Sequence, residues 1–363
     1  MTDITPFLKE LLTVPGLSGF EDSAAEIISA KWKPLVHEIS RGRLGSLHGL
    51  RRGTGGATTP GKFTRPSVMI ATHMDAIGLM VTGITDGFLR LTTIGGVDPR
   101  ILHGTPVTVY ATKSGKRQAI PGVTVQPNPR LLPPGFVTDP VPLEYLFADT
   151  GLPGRNVANL VQVGDLVAFA QPPLELSGET IAGHSLDNRA SVAALTVCLE
   201  GLQSRPHVWD VWAVATSKEE IGTLGAIGSS YELRPTIAIV VDVTYAKGPG
   251  ANDWETMPQG KGPTLTVGPN IHPALYKEMK NLADRLEIPY VIEYATRQTG
   301  TDAFATQVTR EGIPTVVVGI PLRYLHTPVE VVVVKDIQRA GRLMTEFIAG
   351  LSMDFIEKIT WDD

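Results

Sequence analysis

Val68-Met69-Ile70-Ala71-Thr72 is a short apolar run that ends at His73-Met74-Asp75. Three further runs of the same near-continuous kind occupy residues 209–216, 236–241 and 314–320. Such runs are typical of strands that are buried on both faces. Segments with helical spacing alternate with them, at residues 187–202, 221–229, 273–286, 302–310 and 334–351. This alternation predicts an α/β fold with a mostly parallel central sheet covered by helices.

The texture of the sequence changes between residues 78 and 178. Short alternating segments such as Phe88-Leu89-Arg90-Leu91-Thr92 stand there between glycines and prolines. This pattern predicts a small, β-barrel-like all-β domain inserted into the sheet domain. The catalytic domain is then expected at residues 1–77 and 179–363. Residues 5–37 predict two helices, and residues 51–65 predict a loop rich in glycine, threonine and arginine.

The composition argues against several classes of protein. Of the 363 residues, 42% are hydrophobic and 19% charged, so we expect a sizeable core rather than disorder. The net charge is −5 and no basic stripe is visible, so we expect no nucleic-acid partner. The first residues lack the features of a signal peptide, and no uncharged apolar run approaches the ~20 residues that span a bilayer. We therefore expect a cytoplasmic protein with no membrane partner.

The cysteine content restricts the chemistry of any metal site. The chain has one cysteine, Cys198, which lies in an apolar helical segment and is expected to be a buried small hydrophobe. A single cysteine can form no internal disulfide and no Cys-x-x-Cys site. Any metal must therefore be bound by histidine and carboxylate side chains.

Candidate metal ligands follow the apolar runs. Because ligands bind at the carboxyl ends of the strands in open α/β sheets, we expect these residues around one crevice. Each alone has an ordinary explanation as a turn residue, a helix cap or a solvated helix start. Together they bring too many carboxylates to one place to remain without a cation. The candidates are His73, Asp75, Asp187, Glu219, Glu220, Asp242 and His326.

The number of ligands suits two divalent metals. Two histidines and three carboxylates form two three-ligand sites if one carboxylate bridges, and each site keeps an open position for water or substrate. Such a pair of metals can hold a bridging hydroxide and polarise a carbonyl. Zn²⁺ or Co²⁺ is expected, with Mn²⁺ also compatible. Asp75 is placed to orient His73, and one residue of the Glu219-Glu220 pair can ligate while the other acts as general base.

Six sequence blocks resemble those of the glutamyl aminopeptidase and tetrahedral aminopeptidase family, whose members have also been named endoglucanases. The blocks occur in the family's order across nearly the whole chain. Residues 15–22 also resemble the family's N-terminal segment. The blocks are Thr72-His73-Met74-Asp75-Ala76-Ile77-Gly78, Gly183-His184-Ser185-Leu186-Asp187-Asn188-Arg189, Lys218-Glu219-Glu220-Ile221-Gly222, Val241-Asp242-Val243-Thr244, Gly300-Thr301-Asp302-Ala303 and Pro321-Leu322-Arg323-Tyr324-Leu325-His326-Thr327-Pro328-Val329-Glu330.

The resemblance implies a zinc-exopeptidase-like fold and a metal-dependent aminopeptidase that cleaves the N-terminal bond of peptides. It implies that Glu219 is the general base and that Asp75 supports His73. It also implies that residues 78–178 mediate dimerisation and that dimers assemble into a dodecamer. The implied ligands are His73 and Asp242 for one metal, Glu220 and His326 for the other, and Asp187 as the bridge.

Some positions depart from the family's pattern without removing a proposed ligand. Ser46 and Arg43 stand where Asn and Asp are usual, Phe304 and Thr306 are bulkier than usual, and Tyr245 replaces a frequent histidine. The preferred N-terminal residue of the substrate therefore stays open.

Three alternative functions also remain open. They are a related deacylase or carboxypeptidase, for which Arg323 could bind a free carboxylate, a glycoside hydrolase, and a non-catalytic metal-binding protein. Adjacent acids such as Glu219 and Glu220 rarely flank a glycosidic bond at the ~5–9.5 Å separation that its cleavage needs.

Overall fold

The computed structural model describes residues 3–54, 65–113, 115–132 and 141–359. Most of the loop predicted at residues 51–65 lies outside these ranges. The helices of the described residues are α1 (Thr5–Leu12), α2 (Asp22–Trp32), α3 (Gly154–Leu160), α4 (Leu186–Leu202), α5 (Leu224–Leu233), α6 (Pro273–Arg285), α7 (Asp302–Gln307) and α8 (Val334–Gly350). The strands are β1 (Glu38–Arg41), β2 (Leu47–Arg51), β3 (Ser67–His73), β4 (Gly78–Thr85), β5 (Phe88–Ile94), β6 (Pro106–Ala111), β7 (Gln118–Val125), β8 (Phe147–Asp149), β9 (Leu166–Phe169), β10 (Leu174–Leu176), β11 (Thr180–Gly183), β12 (Asp210–Thr216), β13 (Ile237–Tyr245), β14 (Thr264–Val267), β15 (Val291–Tyr294), β16 (Thr315–Arg323) and β17 (Glu330–Val333).

A large sheet forms the centre of the molecule. Its strand order is β1-β2-β12-β3-β13-β16-β17-β11-β10, and β14 joins β16 and carries β15 on its other side. The four strands β12, β3, β13 and β16 are parallel to one another. The outer pairs are antiparallel, apart from the parallel β14–β15 pair. The expectation of a mostly parallel sheet therefore holds for the centre but not for the edges, where the antiparallel hairpins β1–β2, β10–β11 and β16–β17 occur.

Helices cover the parallel strands. Helix α4 packs on β3 and β13 and against α8. Helices α5 and α7 pack on each other, α5 on β12 and α7 on β3, β13 and β16. Every residue of β3 is buried, as expected for a strand that is covered on both faces. No helix in the described ranges is long and apolar enough to cross a membrane.

A closed barrel is formed by β4, β5, β8, β7, β6 and β9. It has its own apolar core, which includes Leu79, Leu89, Val109 and Val167. The alternating pattern of β5, with Leu89 and Leu91 buried between exposed neighbours, explains the period-two signal in the sequence. Strand β10, which follows the barrel, belongs to the large sheet.

Two predicted helices begin or end differently in the structure. Helix α5 begins at Leu224 rather than at residue 221, because Gly222 and Thr223 have left-handed backbone angles that end the preceding turn. Helix α7 ends at Gln307 rather than at residue 310. The displaced start of α5 leaves Glu219 and Glu220 in a turn at the end of β12, where their side chains can reach the sheet edge.

Candidate metal centre

The predicted ligands meet at the carboxyl ends of the central strands. His73 ends β3, Asp242 lies near the end of β13, and Glu220 follows β12. Asp187 stands at the start of α4, where Asp187 and Asn188 have non-helical backbone angles and are joined by a cis peptide bond. His326 follows β16 and has a left-handed backbone conformation. The parallel strands thus gather residues that are far apart in the sequence.

The first group of ligands contains His73, Asp187 and Asp242. Nε2 of His73 lies 3.1 Å from Oδ1 of Asp187 and 3.6 Å from Oδ1 of Asp242. All three residues are buried, and their ligand atoms lie within 4.8 Å of one another. An imidazole nitrogen and two carboxylate oxygens at this spacing could bind one divalent metal.

The second group contains Asp187, Glu220 and His326. Nε2 of His326 lies 3.2 Å from Oδ2 of Asp187 and 3.3 Å from Oε2 of Glu220. The two oxygens of Asp187 therefore face two different histidines, one in each group. Asp187 therefore lies between the two groups and belongs to both.

The charges of these carboxylates favour occupation by cations. Burial raises the pKa of Asp242 and of Glu220, and it raises the pKa of Glu219 to about 9. Burial therefore opposes the ionised state of all three groups. Divalent cations bound to these oxygens and imidazoles would offset the repulsion between the ionised carboxylates. The residues present therefore fit two such ions.

Asp75 is buried beside the candidate ligands and contacts the backbone of the two glutamates as well as His73. Its carboxylate accepts hydrogen bonds from the backbone N–H groups of Glu219 at 3.0 Å and Glu220 at 3.2 Å, and from the hydroxyl of Ser18. Nδ1 of His73 is nearer to the backbone carbonyl oxygen of Asp75, at 3.2 Å, than to its carboxylate, at 3.6 Å. Asp75 thus holds the turn of the two glutamates as well as one face of His73.

The two adjacent glutamates occupy different places. Glu220 belongs to the second ligand group, whereas Glu219 belongs to neither. Oε2 of Glu219 lies 3.9 Å from Nε2 of His73, and the side chain lines the open cavity above the ligands. Glu219 is therefore placed to exchange a proton with a molecule in that cavity.

Two buried acids near the site were not given roles from the sequence. Glu330 accepts hydrogen bonds from the backbone N–H groups of Asp187 at 3.0 Å and His326 at 3.1 Å, and burial raises its pKa. Asp302 accepts a hydrogen bond from the hydroxyl of Thr216, and burial raises its pKa to about 7. Both lie in sequence blocks already quoted, but only the fold shows that Glu330 holds the backbone of two ligands.

A cavity of about 700 Å³ opens over both groups. It is lined by the ligands, by Glu219 and by residues of β13, β14, β15 and the loops around them. Its mouth carries the exposed aromatic rings of Tyr245, Trp254 and Tyr294. The cavity has the volume of a small-molecule or peptide-end site.

Comparison with known proteins agrees with this geometry. The model of the M42 glutamyl aminopeptidase family matches residues 53–343. The lysyl aminopeptidase of Pyrococcus furiosus is 33% identical over 359 residues, which cover 96% of this chain and 98% of the relative. A TET aminopeptidase from a marine sediment archaeon, Thaumarchaeota archaeon, has a TM-score of 0.89 at 28% identity and covers 98% of this chain and 99% of its own.

A second solved structure is the TET1 peptidase of Pyrococcus horikoshii, which can assemble into a tetrahedron or a large octahedral shell. It has a TM-score of 0.78 at 25% identity and covers 96% of this chain and 100% of its own. The family model and the curated relative together cover most of the sequence. This chain belongs to the M42 glutamyl aminopeptidase family.

Proposed function

We propose that this protein is a metal-dependent aminopeptidase that hydrolyses the N-terminal peptide bond of peptides with two divalent metals per subunit. The observation that carries the proposal is the position of Asp187, whose two oxygens lie 3.1 and 3.2 Å from the Nε2 atoms of His73 and His326. The proposed ligands are His73 and Asp242 for one metal, Glu220 and His326 for the other, and Asp187 for both. Family membership supports the same activity.

When bound, two divalent metals supply Lewis acidity and lower the pKa of water towards ~7. Glu219 acts as the general base, because its carboxyl group faces the cavity without belonging to either ligand group. It takes a proton from the attacking water and returns it to the nitrogen of the leaving amine. The burial that raises the pKa of Glu219 favours its holding that proton between the two transfers.

The metals are proposed to be Zn²⁺ or Co²⁺, with Mn²⁺ as a further possibility, because imidazole and carboxylate ligands suit all three. We also propose a homo-oligomer, with the inserted domain predicted at residues 78–178, which contains the barrel of β4 to β9, as the dimerisation domain and residues 1–77 and 179–363 as the catalytic domain. The shells of the Pyrococcus horikoshii TET1 peptidase support an assembly of many copies. The dodecamer and the cytoplasmic location stay predictions, and mass photometry tests the first.

The alternative on the same fold is a deacylase or carboxypeptidase. A carboxypeptidase needs a cation for the free carboxylate of its substrate, and Arg323 was the candidate from the sequence. Nε of Arg323 donates instead to the carbonyl of Lys247 at 2.9 Å, and Arg323 is not among the described residues that line the cavity. This arrangement favours the aminopeptidase.

Substrates with a free or a blocked N-terminus separate these activities. We expect hydrolysis of aminoacyl anilides with a free amine, loss of activity after chelation, and recovery with Zn²⁺, Co²⁺ or Mn²⁺. N-acetylated aminoacyl anilides, and N-acetylated peptides with a free C-terminus, should not be cleaved. Preferred cleavage of the blocked substrates, or full activity after chelation, would contradict the proposal.

The role of Asp75 in positioning the metal ligands can be tested by substitution. Replacing Asp75 by Asn puts an amide N–H₂ against one of the two backbone N–H groups that its carboxylate accepts, so the turn of Glu219 and Glu220 should shift. We expect metal affinity to fall about 10- to 100-fold, as for other residues that orient metal ligands. Titration of the metal-free protein with Zn²⁺ measures this.

The matched control for that test is Ser18→Ala, which removes one hydroxyl donor to Asp75 and leaves both backbone bonds. Its metal affinity should change less than that of Asp75→Asn. Equal affinities in wild type and Asp75→Asn would refute the positioning role.

A further inference from the structure

A half-buried acidic side chain that forms no ion pair with the described residues lines the cavity beside the metal ligands. Glu293 is on β15 and lines the same cavity as both ligand groups. Its Oε1 accepts a hydrogen bond from Thr244 at 2.7 Å, and its Oε2 accepts one from Thr264 at 2.7 Å. Thr266 adds a longer bond of 3.4 Å to Oε2. The three hydroxyls hold the carboxylate in one orientation.

The carboxylate is placed close to the first metal group. Thr244 stands two residues beyond Asp242 on β13, so their Cα atoms are about 6.6 Å apart. Gly319 of β16 pairs in register with Asp242, and a Cβ atom at Gly319 would lie 3.2 Å from Oε2 of Glu293 and 2.2 Å from the hydroxyl of Thr264. The absence of a side chain at Gly319 therefore leaves room for Glu293 and Thr264 beside the metal group.

The surroundings of Glu293 leave it able to bind a cation. A carboxylate offers about four acceptor positions, and Glu293 uses three for the threonines. No ion pair formed by the described residues includes Glu293. The described residues that line the cavity include no lysine or arginine. A positive partner for the Glu293 carboxylate would therefore come from a bound molecule or from solvent.

The aromatic rings at the cavity entrance suit the methylene chain of a lysine or arginine side chain. Tyr245, Trp254 and Tyr294 line the cavity and are 61%, 81% and 77% exposed. Their rings can cover a run of methylenes and can attract a cation through their faces. Lysine and arginine combine three or four methylenes, which such rings can cover, with a charged end that a carboxylate can bind.

We propose that Glu293 is the specificity-determining residue of this enzyme and selects peptides with an N-terminal lysine or arginine. The inference rests on the proposed aminopeptidase activity. The α-amine and the scissile bond of the peptide lie at the metal ligands, and the basic side chain extends to Glu293. An N-terminal glutamate would place a like charge against Glu293 and be rejected.

The test compares lysine with norleucine, which has a similar chain length without the charge. Initial rates are measured on the p-nitroanilides of lysine, arginine, norleucine and glutamate with the Co²⁺-loaded protein. We expect kcat/KM for lysine and arginine to exceed that for norleucine by about 10- to 100-fold, the range for one hydrogen bond to a charged group.

Glu293→Gln removes the charge and keeps the shape. The threonine hydroxyls can rotate to accept from the new amide group, so the fold and the metal centre should persist. We expect the ratio of kcat/KM for lysine to kcat/KM for norleucine to fall from about 10- to 100-fold to about 1. Glu311→Gln, which changes an exposed acid outside the cavity, is the matched control and should keep the wild-type preference.

The outcomes separate this inference from the proposed activity. If wild type cleaves norleucine or glutamate anilides as well as lysine anilide, the inference is overturned and the aminopeptidase activity stands. If lysine is preferred but Glu293→Gln keeps that preference, Glu293 is not the selecting residue. If the metal-loaded protein cleaves none of the four, the proposed function fails and this inference fails with it.

Discussion

Glu219→Gln is expected to lower kcat about 10²- to 10⁴-fold while the protein keeps both metals. The amide of glutamine can accept a hydrogen bond but cannot take a proton from water and pass it to the leaving amine. Metal binding should survive, because Glu219 lies outside both ligand groups and its backbone N–H still reaches Asp75 at 3.0 Å. Steady-state kinetics on a free-amine anilide, together with elemental analysis, measures both quantities.

The adjacent residue provides the matched control for Glu219→Gln. Glu220→Gln changes an oxygen ligand of the second group, 3.3 Å from Nε2 of His326, so it should weaken binding of one metal as well as lower the rate. A Glu219→Gln protein with near-normal kcat would dismiss its role as base. A Glu219→Gln protein that loses metal would make it a ligand instead.

Asp187→Asn should abolish binding at both metal sites, and activity should fall by roughly 10³-fold or more. Each oxygen of Asp187 faces a different group, and an amide supplies only one good acceptor oxygen. The remaining carboxylates would then repel one another without a bridging ligand. Inductively coupled plasma analysis of the Zn²⁺-loaded and desalted protein gives the number of metals per subunit.

Asp242→Asn is the comparison for Asp187→Asn, because Asp242 belongs to the first group alone. It should keep one metal per subunit where Asp187→Asn keeps none. If the two variants retained the same number of metals, Asp187 would not be the bridge.

Much of the candidate metal centre could be predicted from the sequence because the parallel strands have a distinct pattern. Runs such as residues 68–72 are apolar throughout, which is typical of strands buried on both faces. Residues that follow such strands meet at one edge of the sheet when the strands are parallel. His73, Glu220 and Asp242 are all predictable in this way. The structure brings them together as expected.

Other features depend on contacts that no local pattern carries. Strands β1, β2, β14 and β15 are short and were not predicted, because their hydrophobic signal is too brief to separate from a loop. Asp187 resembles an ordinary helix N-cap in the sequence, and only the structure shows that its two oxygens face two different histidines. Neither property is visible without the tertiary packing.

The lining of the cavity likewise could not be predicted from the sequence. Glu293 follows no apolar run of the central sheet and belongs to no recognised block, so the sequence left the substrate preference open. Its place beside Asp242 arises only because β14 pairs with β16 and β15 pairs with β14. Tyr245, a departure from the family's pattern, becomes meaningful once it is seen at the mouth of this cavity.

The pairing of two cations through one carboxylate can be measured directly. Crystals of the Zn²⁺-loaded protein, with anomalous difference maps at the zinc edge, should show two peaks per subunit about 3.5–4 Å apart, with one oxygen of Asp187 about 2.0–2.2 Å from each. His73 and Asp242 should contact one peak, and Glu220 and His326 the other. A single peak, or two peaks that do not share Asp187, would contradict the account.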